Sequence, residues 1–218
     1  MDSARQVAVE EAPRRTQAER RAVTRERLLD ATVRCLETLG YARTTTTEVC
    51  RLAGVSQGAL FKHFPTKAAL MSGAASHLFG ELVADYRRQF ARLPSGEVRF
   101  AAAIELLWGL FETTRMHAAF ELYVAARTDP ELARSLKPVA ADHHRNLHAL
   151  ARDLFPEVGH LARFDALVDL IIAAFQGAAL GNLAARRDER SAMVTLATEL
   201  AIHVIGVSAA ARNGGGAS

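Results

Sequence analysis

The chain has 218 residues, 27 Lys+Arg against 24 Asp+Glu, a net charge of +3 and 50% hydrophobic residues, so it can fill a core and is not a disordered tail. Ala occurs 42 times and Gly and Pro together 20 times, which biases the chain toward helix. Two cysteines, Cys35 and Cys50, are too few for a disulfide scaffold, and no Cys/His array suggests a structural zinc.

Residues 1–18 have mixed charge, no periodicity and Pro13, and are expected to form a flexible arm. No apolar stretch follows the early charges, so no secretory signal is read there, and a reducing cytoplasm is the expected compartment. Leu28, Cys35, Leu36 and Leu39 mark one face of a first helix that stops at Gly40. Thr44–Thr47 offers cap hydroxyls to a short helix, Thr46–Ala53, with Val49, Leu52 and Ala53 pointing inward. Gly54 ends it, Val55 plugs the angle, and Ser56 caps a further short helix, Gln57–Phe64, which buries Leu60 and Phe64 and is stopped by Pro65. Thr66 caps a longer helix from Lys67 to about Arg92, and Leu93-Pro-Ser-Gly96 reads as a turn.

Helical spacing then continues over 97–115, 117–127, 130–154, 163–185 and 189–211. Pro130 follows its cap Asp129, and Pro138 is expected to kink or divide the third of these. The longest uncharged apolar run, Leu170–Ala185, has 16 residues, short of the roughly 20 that a membrane helix needs. Residues 212–218 read as a flexible tail. No useful β alternation appears, so the expected fold is all-α.

Charge is unevenly distributed. Residues 14–67 carry eleven basic and five acidic side chains, whereas residues 71–218 carry fifteen and sixteen. A basic block on a near-neutral remainder is the asymmetry expected where one part of a chain meets a polyanion. Two short helices joined by a Gly-containing turn form a helix-turn-helix when the second can enter the DNA major groove. Gln57 can pair with adenine edges, and Lys62 suits phosphate or guanine.

The run from Thr46 to Lys67 and on to Leu70, with Ala53-Gly-Val-Ser56, Leu60…His63-Phe64 and Lys67 as its most specific parts, closely resembles the DNA-binding signature of the TetR family of transcriptional regulators. The resemblance implies an N-terminal three-helix DNA-binding domain over 19–68 and a helical effector-binding and dimerisation domain over 69–211. It implies Thr46, Thr47, Ser56, Lys62, His63 and Lys67 as phosphate or base contacts, with Gln57, Gly58 and Ala59 facing the groove. Phe61 stands where the family usually has Tyr, so a phosphate contact is missing and binding should weaken modestly.

The expected activity is that of a repressor, binding a palindromic double-stranded operator as a homodimer and released by a small molecule. No cofactor, metal or membrane is expected. A ligand-independent architectural DNA-binding protein is the alternative. Gly54-Val-Ser-Gln-Gly58 also matches the G-x-S-x-G elbow of hydrolases, but that motif needs a preceding strand, and a helix stands there.

Within the second domain, Trp108, Phe111, Met116, Phe120, Tyr123, Phe175 and Gln176 are candidates to line an apolar or aromatic effector site. Leu167, Leu170, Ile171, Met193, Leu196, Leu200 and Val204 make the last two helices apolar beyond one core face and are candidates for the dimer interface. His144 and His148, and likewise His117 and Glu121, have the i, i+4 spacing of metal ligands, but no third ligand is evident. Cys35 and Cys50 read as packing residues rather than a redox switch.

Overall fold

The computed structural model describes residues 16–94, 98–184 and 190–214, and every regular element among the described residues is a helix. Helix α1 (Gln17–Leu39) opens on a capping box. Thr16 Oγ1 accepts from the Glu19 amide at 3.2 Å, while the Glu19 carboxylate accepts from the Thr16 amide at 2.8 Å. Residues 16–18, expected in the arm, therefore belong to the helix and its cap. The rest of the arm, residues 95–97 of the turn and the last four residues of the tail lie outside the described residues.

Helices α2 (Thr46–Ala53), α3 (Gln57–His63) and α4 (Lys67–Phe90) follow, and then α5 (Val98–Phe111), α6 (Thr114–Ala126), α7 (Pro130–Leu154), α8 (Phe164–Ala184) and α9 (Arg190–Gly214). The short helices start on hydroxyl caps. Thr45, Ser56 and Thr66 each accept from the amide three residues on, at 3.1–3.2 Å. One expectation fails here. Leu52 is 43% exposed and Cys50 is buried in its place, because Val49, Cys50 and Ala53 fall on one arc of the helix and Leu52 on the other. Helix α7 runs on through Pro138 without dividing; the proline removes one amide donor, and the helix packs extensively on α4.

Two apolar cores organise the molecule. The first joins α1–α4 to one face of α6 and the start of α7, through Leu28, Val49, Leu60, Leu70, Leu78, Leu122 and Leu132. Each such leucine contributes roughly 1.5–3 kcal/mol by leaving water. The second joins α5, α6, α8 and α9 through Ile104, Trp108, Phe120, Phe175, Val194 and Ala201. The helix-turn-helix is thus built on the same core as α6 and α7.

Helix α8 is more apolar than its uncharged run indicates. The stretch Phe164–Leu183 is long and apolar enough to cross a bilayer by length and composition. In the fold, its Leu167, Ile171, Phe175 and Ala179 stripe packs into the second core.

Candidate nucleic-acid interface and ligand cavity

Gly54 sets the angle between α2 and α3. It adopts φ +65° and ψ +42°, and its amide and that of Val55 both return to the Cys50 carbonyl, closing the helix in the left-handed conformation that glycine tolerates. A Cβ there would also lie 3.1 Å from Arg27 Nη2, and the Arg27 guanidinium donates to the Ala53 carbonyl. Helix α3 is pinned from beneath by Leu60 and Phe64, both buried.

Above that floor, Thr47, Ser56, Gln57, Gly58, Phe61 and Lys62 are exposed, and Thr46, Ala59, His63 and Lys67 are half-buried. Gln57 Nε2 donates to Thr47 Oγ1 at 2.7 Å, so one hydrogen bond orients the amide across the two helices. Lys67 Nζ stands 4.8 Å from the Tyr41 ring centre, a cation–π contact that holds the ammonium at the start of α4. Burial, with Arg21 and Arg25 adding repulsion, holds the His63 imidazole below its usual pKa. Arg21 and Arg25 themselves are exposed on α1, and Arg25 lies over the Phe64 ring at 5.2 Å. Sequence reasoning missed these two; their i, i+4 spacing inside the basic block was the available signal.

The Ser56 hydroxyl is engaged as the cap of α3, and no strand leads into it, so the hydrolase elbow lacks its frame. Cys35 and Cys50 are buried free thiols, and burial raises both pKa values, which favours the protonated thiol.

A second feature is a cavity of about 390 Å³ lined by α4–α8. Of the seven residues expected to line it, Phe111, Met116, Phe120, Tyr123 and Gln176 do so. Trp108 and Phe175 do not. Both are fully buried and pack edge to face against each other, with ring centres 5.0 Å apart, behind Phe111. Their bulk satisfies the second core, and helical spacing alone does not distinguish a core-facing ring from a cavity-facing one.

Sequence reasoning missed Phe79, Tyr86, Phe100 and His143 in the lining. The His143 ring stacks on Phe79 at 3.9 Å; burial, with a smaller contribution from His144, pushes its pKa down to about 4. The imidazole is therefore neutral at pH 7, and its Nδ1 has no protein partner. Tyr86 donates to the Ala103 carbonyl at 3.0 Å, and burial strongly raises its phenol pKa. The cavity is thus an apolar, uncharged space with few polar groups.

Between interface and cavity lies a polar seam. Gly40, at φ +74°, lets α1 end against α6, where a Cβ would stand 2.8 Å from Glu121 Oε2. The Tyr41 amide donates to Glu121 at 2.6 Å, and the Tyr41 hydroxyl donates to Asp129 at 3.1 Å. Arg115 on α6 reaches Glu37 of α1 at 3.1 Å, and Glu81 and Asp85 of α4 at 3.4 and 3.8 Å. Glu121 is engaged in this seam, and it forms no metal-ligating group with His117 among the described residues. The other pair does gain a third ligand: Asp169 of α8 faces both His144 and His148.

The residues expected at a dimer interface separate into two sets. Leu167 and Ile171 are buried within the subunit, in the second core. Leu170 and Leu196 are 53% and 62% exposed, while Met193, Leu200 and Val204 are half-buried against that core. Leu180, Leu183 and Ile202 add exposed apolar surface on the same two helices.

Residues 28–74 match the family described as bacterial regulatory proteins, tetR family. A helix-turn-helix-type transcriptional regulator of Mycobacterium tuberculosis is 34% identical over 171 residues, which is 76% of this chain and 86% of the relative. In fold, the chain is similar to the multidrug binding protein EbrR complexed with imidazole, with a TM-score of 0.66 and 24% identity over 87% of this chain and 96% of that one. It is also similar to the transcriptional regulator FadR from Bacillus subtilis in complex with stearoyl-CoA, with a TM-score of 0.58 and 13% identity over 80% and 96% of the two chains.

Proposed function

The chain belongs to the TetR family of bacterial regulatory proteins and is a transcriptional regulator rather than an enzyme; on that premise we propose that it is a repressor that binds palindromic DNA as a homodimer and is released by an apolar small molecule. The observation that carries this reading is one helix with two duties. Helix α4 begins at Lys67 beneath the recognition unit, and its Phe79, Leu82, Val83 and Tyr86 wall the cavity. A ligand that favours one position of α4 over another therefore biases the position of α3.

In this reading residues 19–68 meet DNA in the cytoplasm, and residues 69–211 hold the effector and the partner subunit. Thr46, Thr47, Ser56, Lys62, His63 and Lys67 take phosphate or base contacts, and Gln57, Gly58 and Ala59 face the major groove. Arg21 and Arg25, on the side of His63, extend the phosphate track. The uncharged His63 contributes a hydrogen bond rather than a charge. Phe61 offers no hydroxyl to phosphate. The exposed Leu170, Leu180, Leu183, Leu196 and Ile202 support pairing of α8 and α9 with their copies, because isolated subunits rarely leave such a set in water. Such a dimer would set two recognition helices in successive major grooves, about 34–36 Å apart.

The apolar lining favours a hydrophobic effector, in keeping with the multidrug binding protein and the stearoyl-CoA complex among its structural relatives. An architectural DNA-binding protein would have no use for such a cavity. The test is a gel-shift against the chain's own upstream region, with and without a panel of hydrophobic cations and acyl-CoAs. Retarded DNA that one panel member releases is the expected result. A correctly formed dimer that binds no palindrome counts against the reading, and binding that no ligand alters favours the architectural alternative.

A further inference from the structure

On the ligand lobe, away from the DNA-facing helices, metal-ligating atoms from two helices converge. His144 and His148 stand one turn apart on α7, and Asp169 faces them from α8. Asp169 Oδ1 lies 3.0 Å from His144 Nε2 and 2.7 Å from His148 Nε2. The two imidazole rings are 4.3 Å apart and cross at 60°, and both Nε2 atoms approach the same carboxylate oxygen. The ligand atoms all lie within 4.8 Å of one another. An ion that takes nitrogen and oxygen at about 2.0–2.2 Å fits such a set after shifts of a few tenths of an ångström.

We propose that His144, His148 and Asp169 bind a divalent transition ion of the zinc class and thereby clamp α7 onto α8. The donor set selects the class, because two imidazoles and one carboxylate suit zinc, nickel or cobalt, whereas calcium and magnesium take oxygen ligands. The surroundings suit it as well. The other ring nitrogen of His148, Nδ1, lies 3.9 Å from Asp165 Oδ2, too far for a hydrogen bond but within reach of its negative charge, and Arg152 pairs with that same Asp165 oxygen. The His148 side chain is 14% exposed and that of His144 is 58% exposed, so one ligand is fixed by packing while the other leaves an entry path.

Three protein ligands leave at least one coordination position open. His144 also belongs to the cavity wall, which sets that position beside the ligand space. A second cluster, Asp30, His77 and Glu81, has one imidazole where this one has two, and Arg115 already pairs with its Glu81. It serves as an internal control.

The experiment uses the full chain without an affinity tag, titrated with Co²⁺ and followed by visible absorption, then back-titrated with Zn²⁺. The expected result is one Co²⁺ per chain with the intense bands of four- or five-coordination, displaced by one equivalent of Zn²⁺. Asp169→Asn and His148→Ala should each weaken Co²⁺ binding by at least ~10-fold, and His77→Ala should leave it unchanged. His144→Ala removes an exposed side chain, so it supplies a folded variant, checked by circular dichroism, if His148→Ala does not fold. Only the weak bands of hydrated Co²⁺, or an unchanged spectrum in His144→Ala and Asp169→Asn, would overturn the proposal and leave a pair of imidazole–carboxylate hydrogen bonds. Loss of the signal in His77→Ala alone would overturn it too, by placing the ion at the other cluster.

Discussion

Gln57 and Lys62 lie on the same seven-residue helix, yet their side chains should act on DNA in different ways. Lys62 is an exposed ammonium, a point charge that suits phosphate. Lys62→Ala should weaken binding to all sequences alike and reduce the slope of log affinity against log salt by roughly 0.9, read by fluorescence anisotropy at several salt concentrations. Gln57 is oriented by Thr47, and an oriented amide can discriminate base edges. Gln57→Ala should change which operator variants are preferred, at a cost of about 1–3 kcal/mol at the base pair it reads. Equal losses on every sequence would remove Gln57 from the base-reading set. The exposure of both residues was legible in the chain, because caps, a turn glycine and a short helix fix which positions point outward. Arg21 and Arg25 were less so, since their nearness to His63 depends on how α1 crosses α3.

At the scale of elements, two sets of contacts are separable. Leu170 and Leu196 lie on helices whose opposite faces fill the second core. The double substitution Leu170→Glu, Leu196→Glu should therefore spare the fold and yield a monomer in light scattering, with loss of binding to a full palindrome. A persistent dimer would move the interface elsewhere. Arg115 joins α6 to both α1 and α4 and is half-exposed, so its removal should cost little stability. Arg115→Ala should instead reduce the effect of a cavity ligand on DNA affinity, while the affinity for DNA in the absence of ligand and the affinity for ligand itself stay near those of the parent. Unchanged coupling would leave α4 as the whole of the connection.

On the scale of the whole molecule, both cores wall the cavity, the first through Phe79 and Leu82 and the second through Phe111, Phe120, Leu167 and Ile171. Filling the cavity should therefore test whether its occupation reaches α3 through α4. Met116→Trp places a larger side chain into space that Met116 partly lines. It is expected to abolish thermal stabilisation by the hydrophobic effector and, by occupying that space as an effector would, to weaken operator binding in a gel-shift; overpacking strain of about 1–3 kcal/mol sets the limit of what the fold must absorb. Leu60→Ala is the converse case, a truncation at the centre of the first core, expected to cost about 2–5 kcal/mol in chemical denaturation and to abolish DNA binding through the fold.

The short helices, their caps and the outward-facing residues of α2 and α3 were determined by the sequence alone, because hydrogen bonds within a few residues and a 3.6-residue apolar period act locally. Tertiary structure decided what depends on distant segments meeting. It put Trp108 and Phe175 in the core and Phe79, Tyr86 and His143 around the cavity, a choice made by which helix packs opposite each face. It divided the apolar residues of α8 into an inner stripe and an outer one. It also brought Asp169 from α8 to the two histidines of α7, a convergence across 21 and 25 residues of chain that no local spacing encodes.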